Sequence, residues 1–383
     1  QVLAFLNSII VNTLAQIINP TMHFKLGNFD GLPKLQTHDG VAEIAIKNVQ
    51  LCKTDWDAFE TSWDFQQHPF IYVDRAYAND GGAFAVANAA NYYEEGPKVC
   101  CPIEACFWLW QKECNERFYQ LKRNEEDLNR IFIDIYGLQD ELSPEVSEKD
   151  VTVRKAELGR EIRSLISYAV GCMLGRYSLK KPGLQFAGGD WQQWLSQQED
   201  MCYAPDKDGI LPITDDEYFS DDIVTLFIKW VGKAFGEDML EENLQYIASA
   251  LYPNGSGSAR DLIRQYFLND FYKDHLKIYQ KRPIYWLFDA GKKNSFKGLI
   301  YLHRYQPDTV ARVRTDYVHE MQARYHTAME DLAHRVDTTS GSERVRLQKQ
   351  LVKIQGQEEE LRKYEEKIHH YADMMLPLDL DDG

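Results

Sequence analysis

Leu347, Leu351, Ile354, Leu361, Tyr364, Ile368, Tyr371 and Met375 recur at spacings of three, four and seven residues. Side chains so spaced share one face of an α-helix, because the helix turns once every 3.6 residues. Upstream, Val313, Tyr317, Met321, Tyr325, Met329, Leu332 and Val336 repeat the pattern, and Thr338 to Ser342 supplies a turn between the two runs. Residues 307–383 therefore read as an antiparallel helical hairpin, with its seam weakened at Gly356 and Glu358.

Elsewhere helical periods dominate, so the fold class read from the sequence is mainly α (α+β). Residues 1 to 19 read as one amphipathic buried helix that Asn19-Pro20 terminates, because proline breaks the hydrogen-bond ladder and restricts its predecessor. His23 to Asp30 alternates like a half-buried strand. A helix is expected from Asp39 through Val41 to Leu51, a Trp-rich one from Thr54, and a long one over 102–136. Asp150 to Leu179 suggests a helix pair in which Gly171 and Gly175 let two backbones approach. Lys180 to Phe219 looks irregular, Ala259 to Tyr279 is amphipathic, and Pro283 to Phe288 is a strand candidate. Tyr72 to Pro97, rich in Ala, Asn, Gly and Tyr, reads as an inserted surface loop. The segments are accordingly 1–40, 41–306 with the insert at 72–97, and the hairpin 307–383. The chain opens inside a helix without an initiator Met, which suggests a fragment of a longer protein.

Across 383 residues, 59 acids against 43 Lys and Arg give a net charge of −16, and 44% of residues are hydrophobic. That is too much apolar sequence for disorder, and no field from the whole molecule attracts nucleic acid or an anionic membrane. Val2 to Ile18 is interrupted by Asn7, Ser8, Asn12 and Gln16, which argues against a bilayer span. Cys52, Cys100, Cys101, Cys106, Cys114, Cys172 and Cys202 are odd in number and scattered, pointing to a reducing, cytoplasmic location. The spacing of Cys100, Cys101, Cys106 and Cys114 departs from zinc-binding pairs, so buried thiols are the simpler reading. His369-His370 reads as a solvated pair on a helix edge. Gly188-Gly189 and Gly255-Ser-Gly257 lack the preceding strand of a nucleotide-binding turn. No catalytic, cofactor-binding or metal-binding residue is assigned.

One window departs from the acidic average. Between Lys281 and His326 lie nine cations, Lys281, Arg282, Lys292, Lys293, Lys297, Arg304, Arg312, Arg314 and Arg324, and only four acids. Interleaved Tyr285, Trp286, Phe296, Tyr301, His303 and Tyr305 would suit a surface that follows phosphates and stacks on bases. The alternative is that the aromatics are core and the cations pair with acids brought from the Asp215 to Asp222 region.

Several segments resemble a known family. Asp55-Trp-Asp-Ala-Phe-Glu-Thr-Ser-Trp-Asp-Phe65, the run from Leu165 to Leu179 through Gly171-Cys-Met-Leu-Gly-Arg-Tyr177, and Asp208-Gly-Ile-Leu-Pro-Ile-Thr-Asp-Asp-Glu217 are similar to the C-terminal half of the PglX/BrxX family. So are Phe271 to His275, Lys281 to Phe288, Leu302 to Tyr305 and Leu378 to Gly383. These proteins are adenine-specific DNA methyltransferases of BREX phage-defence systems. Asn7 to Pro33 is similar to the end of target recognition domains in type I specificity subunits. The resemblance implies site-specific adenine-N6 methylation with S-adenosylmethionine, bound by an upstream domain, since the family's Phe-x-Gly-x-Gly and Asn-Pro-Pro-Tyr motifs are not in this sequence. It implies double-stranded DNA as a partner, with Lys281, Arg282, Lys292, Lys293, Lys297 and Arg304 on its backbone and His23, Lys25 and Lys34 bordering the groove-reading part. The rival reading is a docking module for other BREX components or for a phage inhibitor that mimics DNA. A third is a brace without a ligand of its own. The 72–97 insert departs from the family pattern.

Overall fold

The computed structural model describes residues 1–18, 32–33, 40–71, 102–199 and 201–380. The strand expected over 23–30, the insert at 72–97, Cys100 and Cys101 lie outside them. The described chain forms two compact units, one of residues 1–65 and 106–157 and one of residues 66–105 and 158–383.

The first unit is helical. Where one opening helix was expected there are two, α1 (Val2–Leu6) and α2 (Ile9–Ile18). The Asn7 amide donates to the Leu3 carbonyl and the Ser8 hydroxyl to the Phe5 carbonyl, at 2.9 and 2.7 Å, so these side chains compete with the helical ladder and break it. α3 (Val41–Asp57) runs through Thr54 without interruption, so no second helix starts there. With α4 (Pro102–Tyr136) these helices bury Phe5, Ile10, Val11, Val41, Leu128, Phe132 and Ile133 in one cluster.

The second unit is built around α5 (Leu158–Met173), which is buried on nearly every side from Ile162 onward. A helix hydrophobic all round belongs in the middle of a core. It is a single helix rather than the expected pair, and its glycines serve rings instead of a second backbone. A Cβ at Gly171 would meet the Tyr177 ring at 2.4 Å, and one at Gly175 would meet Trp191 at 2.6 Å. The region expected to be irregular holds α6 (Trp191–Ser196) and strand β1 (Ile210–Ile213). Next come α7 (Ile223–Phe235), capped by Asp222, α8 (Leu240–Leu251), and α9 (Ala259–Asn269), opened by a Ser258/Asp261 capping box. The amphipathic stretch to Tyr279 breaks at Asp270, beyond which α10 (Phe271–Ile278) begins.

Strand β2 (Tyr285–Asp289) confirms the strand candidate, and β3 (Lys297–Tyr301) lies between it and β1 in an antiparallel sheet of order β1-β3-β2. The register pairs Tyr285 with Tyr301, Asp289 with Lys297, and Ile210 with Ile300. The fold is mainly α with this small sheet. On it packs the expected hairpin: α11 (Thr309–Arg312), a π-helical segment (Val313–Val318), α12 (His319–Thr338) and α13 (Gly341–Met374). Ile210, Phe296, Ile300, Tyr317, Met321, Tyr325, Leu361 and Ile368 form the core they share. The seam ends early: Tyr371 and Met375 are 55% and 47% exposed, and Ala372 takes the buried position. At the weak point, buried Gln357 spans the gap by donating to the Lys293 carbonyl and the Asp215 carboxylate.

Asp222, fully buried, caps α7 and takes two bonds from Arg264, at 2.8 and 2.9 Å. Removing one member strands a buried charge, so Asp222→Ala should lower stability by about 3 to 5 kcal/mol. In the same urea titration, Arg346→Ala on the exposed face of α13 should change it by less than about 0.5 kcal/mol.

Candidate nucleic-acid interface

The basic window falls on the β2–β3 hairpin and its flanks, and the fold sorts its cations into anchored and exposed groups. Arg304 is buried. Its Nη1 donates to the Leu174 and Asp206 carbonyls at 3.3 and 3.0 Å and its Nη2 to the Lys207 carbonyl at 2.9 Å. Its guanidinium lies 3.5 Å above the Trp191 ring. Lys297 is also buried, its ammonium donating to the Leu268 carbonyl at 2.7 Å with the Asp289 carboxylate 3.6 Å away. Arg312 pairs with Asp208, Arg314 with Glu365 and Arg324 with Glu320. None of these acids comes from Asp215 to Asp222, the source expected from the sequence; Asp215 pairs instead with Lys353 and Asp222 with Arg264.

Lys281, Arg282, Lys292 and Lys293 are exposed and form no ion pair among the described residues. Two sit at each end of β2. Lys281 adopts a left-handed backbone (φ 66°) in the turn after α10, and Lys292 and Lys293 occupy the turn after β2. Five strand residues separate the pairs by at least ~13 Å. The distal turn is held rigidly, because the Glu360 carboxylate accepts from the Lys293 and Ser295 amides and from the Ser295 hydroxyl. Gly291 (φ 147°) is needed there, since a Cβ would lie 2.5 Å from that carboxylate. Of the interleaved aromatics, Tyr285, Phe296 and Tyr301 are core, so they stack on no base; Trp286, on the edge strand, is 50% exposed. His23, Lys25 and Lys34 lie outside the described residues.

Asp206, Asp208 and Asp221 approach one another with ligand atoms within 4.8 Å, and the Tyr317 hydroxyl lies 2.9 and 2.8 Å from the last two. Arg312 pairs with Asp208 at 3.1 Å, so a phenol and a guanidinium already serve this acidic group. Burial, followed by the hydrogen bond and charge of Asp208, pushes the Asp206 carboxyl up to about 7. The chemistry of S-adenosylmethionine finds no cradle among the described residues: the three strands are antiparallel, and none feeds a glycine-rich turn into a helix. Cys106 and Cys114 are buried on α4. Among the described residues, no helix is long and apolar enough to cross a membrane.

No family model matches the chain. It is 42% identical over 386 aligned positions to the adenine-specific methyltransferase PglX of Lacticaseibacillus casei, which takes in all of this chain and 30% of that protein. It is 34% identical over 407 positions to the adenine-specific methyltransferase BrxX of Escherichia coli, covering all of this chain and 32% of that one. The PglX/BrxX resemblance thus holds over the whole chain. The chain spans less than a third of the length of these curated relatives.

Sequence composition located the window but missed the division within it. Burial separates the cations by environment: Arg304→Ala should cost about 3 kcal/mol and Lys297→Met about 1.5 to 3 kcal/mol, because buried and partly buried carbonyls lose charged donors. Lys292→Ala should stay within about 0.5 kcal/mol in the same thermal or urea melts.

Asp206 sets a pH dependence. Its folded pKa of about 7 lies above the ordinary carboxyl value of 3.8, so its contribution to stability is full below about pH 4 and lost as pH rises through 7. Asp206→Asn keeps an acceptor for the amides of Asp208 and Gly209, which the wild-type side chain binds at 3.1 and 2.7 Å. Melts between pH 5 and 8 should show the variant gaining on the wild type as pH rises.

Proposed function

We propose that this chain is the DNA-positioning, C-terminal part of a site-specific, S-adenosylmethionine-dependent adenine-N6 DNA methyltransferase acting in BREX phage defence. In this reading residues 1–40 close a target recognition domain, residues 41–306 form a helical domain that carries the basic hairpin flanks, and residues 307–383 brace the sheet. Methyl transfer takes place in a domain outside these residues, which also holds the cofactor. The carrying observation is similarity over the whole chain to two adenine-specific methyltransferases. The exposed cations at both ends of β2, with Trp286 between them, offer duplex phosphates a local positive surface despite the acidic surroundings.

A second reading is favoured by the exposed apolar residues Met374, Met375, Leu376, Leu378 and Leu380 beyond the end of the hairpin seam. Such a run suits docking to other BREX components, or to a DNA-mimicking phage inhibitor that would also seek the basic flanks.

Duplex DNA binding, followed by fluorescence anisotropy from about 50 to 200 mM salt, tests the main reading. Affinity should fall steeply with salt, and Lys281→Glu, Arg282→Glu, Lys292→Glu and Lys293→Glu combined should flatten the slope by ~0.9 for each phosphate no longer neutralised. An unchanged slope in the folded variant removes the flanks from the interface. Loss of co-purifying subunits on Leu378→Asp and Leu380→Asp, with DNA binding intact, would favour the docking reading.

A further inference from the structure

Arg176 follows the glycine that closes α5, and its guanidinium is largely withdrawn from solvent. Nε donates to the Tyr177 hydroxyl and Nη1 to the Tyr301 hydroxyl, each at 3.0 Å, and Tyr301 hands its own proton to the Phe186 carbonyl at 2.8 Å. Among the described residues no carboxylate pairs with it; the groups that face its charge are Tyr177, Tyr285, Tyr301 and Tyr279. An arginine carries five N–H donors, and two are used here, with the guanidinium also 5.2 and 5.8 Å from the Tyr177 and Tyr301 ring centroids. Phenols are neutral at physiological pH, so this cation sits among dipoles without a counter-charge, a costly arrangement unless an anion completes it.

Arg304 shows what completion within the chain looks like. Among the described residues it too has no carboxylate bond, but three of its donors go to backbone carbonyls and its face lies on Trp191.

A second group stands beside Arg176. The His303 ring lies 4.9 Å from the Tyr301 ring, and its Nδ1 is buried without a hydrogen-bond partner. Burial, and then the charge of Arg176, hold its imidazole below the ordinary value, so it is neutral at pH 7 and keeps one ring N–H to donate. Over it passes the exposed turn Gly188-Gly189, both in left-handed backbone (φ 116° and 92°), with the Cβ position of Gly188 3.9 Å from the His303 ring.

We propose that Arg176 and His303, beneath the Gly188-Gly189 turn, bind one phosphoryl oxyanion, either a backbone phosphodiester of DNA or free phosphate. The DNA form rests on the function proposed above; the free-phosphate form does not. The planar guanidinium fork suits two phosphoryl oxygens at once, which an ammonium cannot match.

The full chain should be titrated with inorganic phosphate by calorimetry and with duplex DNA across a salt series, as wild type, Arg176→Gln, Arg176→Lys and His303→Phe. Phosphate should bind the wild type, weaken tenfold or more in Arg176→Gln, and weaken also in Arg176→Lys, where the charge survives and the fork does not. A DNA salt slope lower by ~0.9 in Arg176→Gln assigns the phosphoryl group to DNA. An unchanged slope with abolished phosphate binding assigns it to the free ion. Should wild-type DNA binding be absent while phosphate binds, the DNA reading fails and the anion site stands. Absence of phosphate binding to the wild type, together with an unaltered DNA slope in folded Arg176 variants, overturns the proposal. If Arg176→Gln does not fold, Arg176→Lys and His303→Phe carry the same comparison.

Discussion

The Arg304 guanidinium joins parts of the second unit that are remote in sequence: the residue after α5, the turn before β1, the ring of Trp191, and its own position after β3. Three backbone carbonyls point at it, the Leu174 carbonyl buried and those of Asp206 and Lys207 partly so, and each loses a charged donor without it. The demand spreads outward. Gly209 must lack a side chain because a Cβ there would lie 2.9 Å from the guanidinium carbon, and Gly175 because Trp191 needs the space beside it. A positive φ at both glycines, 76° and 83°, adds backbone strain to that clash for any residue with a side chain. The turn so fixed delivers β1 to β3, and Tyr317 closes it from the π-helical segment, its single hydroxyl proton facing the Asp208 and Asp221 carboxylates and the Ile210 carbonyl at 2.8 to 3.2 Å. A π-helical turn there re-aims one side chain within an otherwise regular helix, which fits a tyrosine whose hydroxyl must enter this cluster of acceptors.

Local periodicity explains what was legible in the sequence. The seam from Leu347 to Ile368 repeats along one element, so spacing alone reveals it, and the strand at Tyr285 shows through its β-rich apolar run. It fails where burial comes from tertiary contact. β1 and β3 are buried along their full length, so neither alternates apolar with polar residues, and β3 begins with a lysine and a glycine. Tyr371 and Met375 continue the period but remain about half exposed, outside the buried seam. Gly171 and Gly175 signalled close approach correctly, while the approaching groups are rings whose positions depend on residues 177 and 191.

The candidate interface divides the same way. Charge composition marks residues 281–326 as basic, because counting needs no fold. Which cations remain available depends on acids supplied from elsewhere: Asp208 for Arg312, Glu365 for Arg314, and Asp289 together with a carbonyl for Lys297. The four that remain exposed flank an edge strand, so the useful positive charge is local although the molecule carries −16. Within a Debye length of about 8 Å at physiological salt, a phosphate responds to its nearest cations far more than to the net charge.

Arg176 and Arg304 follow from a common rule and differ in its outcome. Among the described residues each is a largely buried guanidinium with no bonded carboxylate, and neither is marked by its spacing in the sequence. Arg304 gives three donors to backbone carbonyls and its face to Trp191, so its partners are supplied within the fold. Arg176 bonds two phenols and stops, with the unpartnered His303 nitrogen near by. A closed set stabilises the folded chain, whereas an open set of charged donors does so only when something outside the chain completes it. The satisfaction of its donors, rather than the presence of positive charge, is therefore what separates a structural arginine from a binding one here.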